Sequence, residues 1–123
     1  LHPRTRGALE RTGRQPEHVR IVDPVGYLDM VRLEASAAVV ATDSGGVQKE
    51  AYFQQVPCVT LRDETEWVEL VESGWNILAP PEDASQIASA ILGSRGRRGR
   101  DVRPYGDGHA AEKIVLALTE LLT

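Results

Sequence analysis

Residues 42–50 read Thr-Asp-Ser-Gly-Gly-Val-Gln-Lys-Glu and stand directly behind the small apolar run at 37–41. A buried strand that ends in Asp-Ser-Gly-Gly and turns into a helix presents backbone N–H groups and a hydroxyl where the helix dipole is positive, which suits phosphate. Gly45 and Gly46 carry no Cβ to hold a ligand off the backbone; Ser44 can donate a hydrogen bond, and either Asp43 or Ser44 can cap the helix. Glu50 follows Gly46 by four residues, one helical turn along the same face, where its carboxylate can accept from two neighbouring ribose hydroxyls. A phosphate end and a ribose carboxylate together describe a nucleotide site. A tight turn with an N-cap gives the same glycine pair, so the motif needs support from elsewhere in the chain.

The elements that must position these residues follow from periodicity. A short polar helix precedes Gly13, with Thr5 as a possible cap and Ala8 and Leu9 on its apolar side; residues 15–17 read as linker, and residues 19–22 as an extended segment closed by Asp23-Pro24. Tyr27, Leu28, Val31 and Ala35 recur at helical spacing with Asp29, Arg32 and Glu34 opposite, which predicts a helix over 27–35 with the first set inward. The central strand covers 37–42, and the glycine-led helix runs until Val56-Pro57 breaks it. Residues 58–61 fit a strand buried on both faces. A polar loop over 62–65 leads into a helix over 66–73 ended by Gly74, then a strand over 76–79. Asp83 caps a helix with Ile87, Ala88, Ile91 and Leu92 inward. A Gly/Arg-rich loop over 95–108 precedes a last helix over 109–122, whose stripe is Ala111, Ile114, Val115, Leu118 and Leu121 or Leu122. Strands alternating with helices predict an α/β fold, a Rossmann-like parallel sheet with helices on both faces. Such sheets bind ligands at the carboxyl ends of their strands, so the polar clusters at 23–26, 43–46 and 62–66 are expected on one edge.

The bulk numbers set limits. With 123 residues, 41 % hydrophobic and 26 % charged, the chain has room for one core. No apolar run approaches the roughly 20 residues of a membrane span, and no basic-then-apolar leader opens the chain, which reads as soluble and cytoplasmic. A net charge of −4 argues against general nucleic-acid binding despite the basic run at 95–103, read as a solvated, disordered linker or a contact for an anionic partner. The lone Cys58 allows no intrachain disulfide or cysteine metal cluster and reads as a buried structural thiol. His18 reads as surface and His109 as a helix N-terminal residue. The opening Leu1-His2-Pro3, without methionine, reads as a piece of something longer.

Five separated stretches carry a family resemblance: 2–5 (His-Pro-Arg-Thr), 42–51, 56–67, 74–76 (Gly-Trp-Asn) and 105–110 (Tyr-Gly-Asp-Gly-His-Ala). In this order they resemble the C-terminal half of the non-hydrolysing UDP-N-acetylglucosamine 2-epimerases. The resemblance implies one half of a two-domain GT-B-type architecture. Residues 1–123 would be its nucleotide-sugar (UDP) binding domain, with the N-terminal half absent. The implied reaction interconverts UDP-N-acetylglucosamine and UDP-N-acetylmannosamine, without metal or redox cofactor, by eliminating UDP and adding it back with inverted C2. That needs proton transfer on both faces and stabilisation of the leaving diphosphate. The resemblance puts most proton work in the other half, so no catalytic residue is assigned here.

By the same resemblance Ser44, Gly45 and Gly46 match the diphosphate grip and Glu50 the ribose carboxylate. Met30 packs on uracil, with backbone near Val25 reading the base edge. Arg62 and Glu66 enter the cleft for diphosphate or sugar, although an ion pair from Arg62 to Asp63 or Glu64 is the competing reading. His2 would reach the phosphates or an adjoining effector pocket, or simply sit in water at a helix start. Trp67-Val68 departs from the Arg-Pro that many members carry after the glutamate. Partners implied are UDP-N-acetylglucosamine or UDP, the missing domain, and a second copy as a homodimer of the full-length protein, which would serve cell-surface polysaccharide synthesis. The alternatives are the donor-binding domain of a GT-B glycosyltransferase and a non-catalytic nucleotide-sugar binding module. Half a cleft cannot enclose substrate, so the chain alone is expected to be inactive.

Overall fold

The computed structural model describes residues 3–13 and 16–122. Helix α1 (Pro3–Thr12) begins earlier than expected, leaving Thr5 inside it rather than at the cap, and ends at Gly13, whose φ of +64° only glycine adopts at low cost. Gln15 of the expected linker and His2 lie outside the described residues. Residues 19–22 form no regular element, are exposed and belong to no strand, so the described sheet has three strands rather than the four expected. A strand forms by pairing with another, and the described sheet runs β1-β2-β3 without this segment.

Helix α2 (Tyr27–Ser36) leads to β1 (Val40–Thr42), α3 (Gly45–Phe53), β2 (Cys58–Thr60), α4 (Val68–Glu72), β3 (Asn76–Leu78), α5 (Ala84–Ser94) and α6 (Ala110–Leu121). The strands lie in the order β1-β2-β3, all parallel, with Val40 opposite Cys58 and Cys58 opposite Asn76. Central β2 is buried at every position, as its β-branched composition predicts. Helix α3 packs on β1 and β2, α4 on β3, and α5 on β2. The core is Ala51, Val56, Cys58, Val59, Leu70, Trp75 and Ala79.

Two helices stop by the same device. After α3, Val56 N–H donates to Ala51 O and Gln55 N–H to Tyr52 O; after α4, Trp75 N–H donates to Leu70 O and Gly74 N–H to Val71 O. Both are Schellman closures with the penultimate residue left-handed, Gly74 at φ +82° and, unusually, Gln55 at +56°. Asp83 caps α5 as expected, accepting from Ser85 N–H at 2.8 Å and Gln86 N–H at 3.3 Å.

Five expectations drawn from the sequence fail. Helix α2 turns Met30, Val31 and Glu34 inward and leaves Tyr27 and Leu28 each 72 % exposed, because its burial is set by contact with α3 and not by its own apolar count. Helix α4 is five residues long and starts at Val68, since Thr65 Oγ1 accepts from Trp67 N–H and holds the preceding turn open. In α5, Leu92 is exposed and Ser94 is buried. The basic run at 95–103 is an ordered strap: Trp75 Nε1 donates to Arg100 O at 2.9 Å, Arg100 donates to Glu72 O, and the Tyr52 hydroxyl bonds Val102 O. A Cβ at Gly99 would collide with the Trp75 ring, so the strap crosses there on glycine. Helix α6 forms as expected, yet every residue of it is exposed, with Ile114, Val115 and Leu118 more than half so.

Candidate functional site

The carboxyl end of β1 delivers the chain to the first turn of α3. Ser44 occupies the N-cap position with extended backbone (φ −81°, ψ 125°), but neither it nor Asp43 caps through its side chain. Thr42 Oγ1 instead accepts from Ser44 N–H at 3.0 Å, which fixes the turn and leaves the Ser44 hydroxyl exposed. Gly46 is also exposed and Gly45 half-buried, so the positive end of a nine-residue helix opens to solvent.

The loop after β2 lies against this helix end. A Cβ on Gly45 would come within 2.5 Å of Glu66 Oε1 and 3.4 Å of Trp67 Nε1. Trp67 Nε1 donates to Gly45 O at 2.9 Å, so the tryptophan that departs from the Arg-Pro pattern pins the loop to α3. Lys49 Nζ stands 4.3 Å above the Trp67 ring and 4.9 Å from that of Tyr105, closing the contact with cation–π attraction. Arg62 pairs with Glu66 at 2.9 Å, not with Asp63 or Glu64. The backbone N–H of Glu66 itself, and then Arg62, hold the Glu66 carboxyl below the usual carboxylate range against the opposing effect of desolvation. Both side chains remain partly exposed, 35 % for Arg62 and 50 % for Glu66, and can re-aim toward an incoming anion.

Beneath the loop runs a buried polar network that periodicity did not reveal. Thr65 Oγ1 donates to Gln48 Oε1 at 2.6 Å, Asn76 Nδ2 donates to the same oxygen at 3.0 Å, and Thr60 Oγ1 donates to Asn76 Oδ1 at 2.9 Å. Gln48, Thr60 and Asn76 are buried, so the network ties α3, β2, β3 and the 61–67 loop into one unit. The available signal was spacing: Gln48 precedes fully buried Ala51 by three residues on one face of α3.

Glu50 is half-buried on α3, one turn beyond Gly46. Met30 is half-buried on α2, which packs on α3, and Val25 is exposed at the edge of a concavity of about 560 Å³ bordered also by Val22, Asp29 and Leu33. Another concavity, of about 320 Å³, lies apart from the glycine turn, between Tyr52, Phe53, Trp75 and the strap. Among the described residues no three His, Cys, Asp or Glu side chains are grouped to hold a metal ion, and no helix is long and apolar enough to cross a membrane. Cys58 is buried with its thiol pushed by desolvation up to about 11. His18 is exposed, and His109 stands at the start of α6 with Nδ1 3.0 Å from Glu112.

A parallel sheet whose strand end feeds a glycine-led helix, with polar loops gathered there, defines a Rossmann-like α/β domain of the kind that forms one half of a GT-B-type enzyme. More specifically, the chain belongs to the UDP-N-acetylglucosamine 2-epimerase family, whose model matches residues 1–119. It is 48 % identical, over 98 % of its length, to the UDP-2,3-diacetamido-2,3-dideoxy-D-glucuronate 2-epimerase of Pseudomonas aeruginosa, of which it covers 34 %. It is 39 % identical to the UDP-N-acetylglucosamine 2-epimerase of Methanocaldococcus jannaschii, over 97 % of this chain and 34 % of that one. The crystal structure of the Methanocaldococcus jannaschii enzyme in complex with UDP-GlcNAc and UDP matches 97 % of this chain with a TM-score of 0.81 and 39 % identity, and the chain covers 34 % of it. The chain thus spans about a third of the length of the relatives it matches.

Proposed function

We propose that this chain is the UDP-holding part of a 2-epimerase acting on a UDP-2-acetamido sugar, UDP-N-acetylglucosamine in the first instance. The observation that carries the reading is the solvent-facing N-terminus of α3, with Ser44 and Gly46 exposed, Gly45 flanked by the partly exposed Glu66 side chain, and Glu50 one turn further on. In this reading the diphosphate accepts from the α3 backbone N–H groups and the Ser44 hydroxyl, which stabilise the charge that develops as UDP leaves C1. Glu50 accepts from the ribose hydroxyls, Met30 packs on the uracil and backbone near Val25 reads its edge. Arg62, released from Glu66, offsets diphosphate charge, while Glu66 holds a sugar hydroxyl. His2 is retained as a contact for the phosphates or an effector.

Residues 1–123 would be the C-terminal UDP-binding domain, and the proton transfers at C2 belong to the remainder of a longer, cytoplasmic protein. The uncovered apolar face of α6 supports a further body of protein against this chain. The 48 % identity to an enzyme named for a diacetamido glucuronate favours a second substrate of the same class, sharing UDP and the 2-acetamido group.

The test incubates the complete gene product with UDP-N-acetylglucosamine in deuterated water and follows sugar C2 by NMR. Deuterium at C2 with UDP-N-acetylmannosamine appearing is the expected result. Retained protons at C2 with this sugar but exchange with the diacetamido glucuronate would move the substrate. Retained protons with both would end the epimerase reading and turn attention to glycosyl transfer or plain binding. The 123 residues alone are expected to turn over neither sugar.

A further inference from the structure

Among the described residues, Glu34 is the one carboxylate in the core. It is 3 % exposed, on the face of α2 that packs against α3, and neither of its oxygens accepts a hydrogen bond from a donor group. An ionised carboxylate in such a place is costly, and the remedies are a counter-charge or a retained proton. Among the described residues, no counter-charge pairs with it. Asp29 and Arg32 on α2 pair with each other in solvent, Lys49 on α3 is engaged over Trp67 and Tyr105, and β1 carries no titratable group. The group that does face it from α3 is a second carboxylate, Glu50.

We propose that Glu34 is a positioning residue for Glu50: enclosed between α2 and α3, it stays a neutral carboxylic acid and donates its hydrogen to one oxygen of Glu50. The other Glu50 oxygen is thereby aimed outward with its charge concentrated for hydroxyl donors. This rests on the reading of Glu50 as the ribose contact. Chemically the pair is two carboxyl groups sharing one proton, an arrangement that forms where two like charges are held together out of water. Burial first, and then the charge and hydrogen bonding of Glu50, raise the Glu34 carboxyl above its ordinary value of 4.5, in the direction the pairing requires.

The arrangement makes nucleotide affinity depend on pH through a residue that does not touch the ligand. As pH rises through the Glu34 ionisation the donor is lost, a second negative charge appears beside Glu50, and the pair must separate. Glu34→Gln keeps an N–H donor and cannot ionise, whereas Glu34→Leu fills the space and donates nothing.

The experiment uses the complete gene product, with UDP as probe, by calorimetry between about pH 5 and pH 9, together with carbon-13 NMR titration of the glutamate carboxyls. Relative to wild type, Glu34→Gln is expected to bind UDP with an affinity that falls less as pH rises; the ratio of the two proteins removes the ligand's own phosphate ionisation. Glu34→Leu is expected to bind roughly three- to tenfold more weakly at neutral pH, the worth of one hydrogen bond. The Glu34 resonance should titrate above the ordinary glutamate range and return toward it in Glu50→Gln. A Glu34 that titrates normally, or is indifferent to Glu50→Gln, overturns the shared proton. A shared proton with identical pH profiles for wild type and Glu34→Gln overturns the positioning role. If Glu50→Ala leaves UDP affinity unchanged while the NMR coupling stands, it is the ribose reading of Glu50 that falls, and the positioning role falls with it.

Discussion

Replacing Gly45 with alanine separates the fold from the site. The added methyl would lie 2.5 Å from Glu66 Oε1 and 3.4 Å from both Glu66 Cδ and Trp67 Nε1. The closest of these is the end of a flexible side chain, half exposed, so it swings away and the Arg62 pair loosens at small cost. Against that, alanine in a helix is favoured over glycine by roughly 0.5–1 kcal/mol. The two effects oppose, and thermal denaturation of Gly45→Ala should sit within a few degrees of wild type. UDP binding behaves differently, because the methyl stands where a phosphate must approach the backbone. Loss of one charge-assisted N–H bond costs about 1.5–3 kcal/mol, or roughly 10- to 150-fold in Kd by calorimetry. Gly46→Ala meets only Ser44 Oγ, at 3.9 Å, and serves as the control for the fold. An unchanged UDP affinity in a folded Gly45→Ala protein would refute the placement of diphosphate at this turn.

Glu50→Ala should weaken UDP by about 1–3 kcal/mol with no loss for inorganic pyrophosphate, which has no ribose; calorimetry with both ligands checks the contrast. Trp75→Ala removes a ring that is 7 % exposed and carries the strap, so a loss of about 3–5 kcal/mol is expected, with tryptic cleavage in the 95–103 run much faster than in wild type. Asn76→Ala breaks the buried bonds to Gln48 and Thr60 and should cost about 2–3 kcal/mol in urea denaturation. Gln55→Gly relieves a left-handed residue at φ +56° and should stabilise by about 1 kcal/mol in the same assay, the one substitution of the set with that sign. Folding raises the Cys58 thiol from 9.0 to about 11, so its contribution to stability is complete below pH 9 and lost as pH climbs toward 11. Thiol labelling at pH 8 should accordingly wait for unfolding.

The sequence by itself determined what is local. Gly45-Gly46 behind a small apolar run, the Asp83 cap, Gly74 after α4 and the β-branched run of β2 each act within a few residues, and each element formed where its own chemistry put it. The motif order was enough to name the family, and the family model agrees. What only the tertiary structure decided is which side chains meet. Periodicity groups Glu34 with Asp29 and Arg32 on the polar side of α2, yet Glu34 alone of the three turns inward, beside Met30 and Val31, because burial depends on the neighbour and not on the stripe. Gln48, Thr65 and Asn76 come from three separate elements, so their network has no signature in any one segment. The basic run at 95–103 has the composition of a free linker and is held down by one tryptophan ring and the Tyr52 hydroxyl, both far away in sequence. Backbone conformation is a short-range property of the chain; burial and pairing are long-range, and only the closed fold sets them.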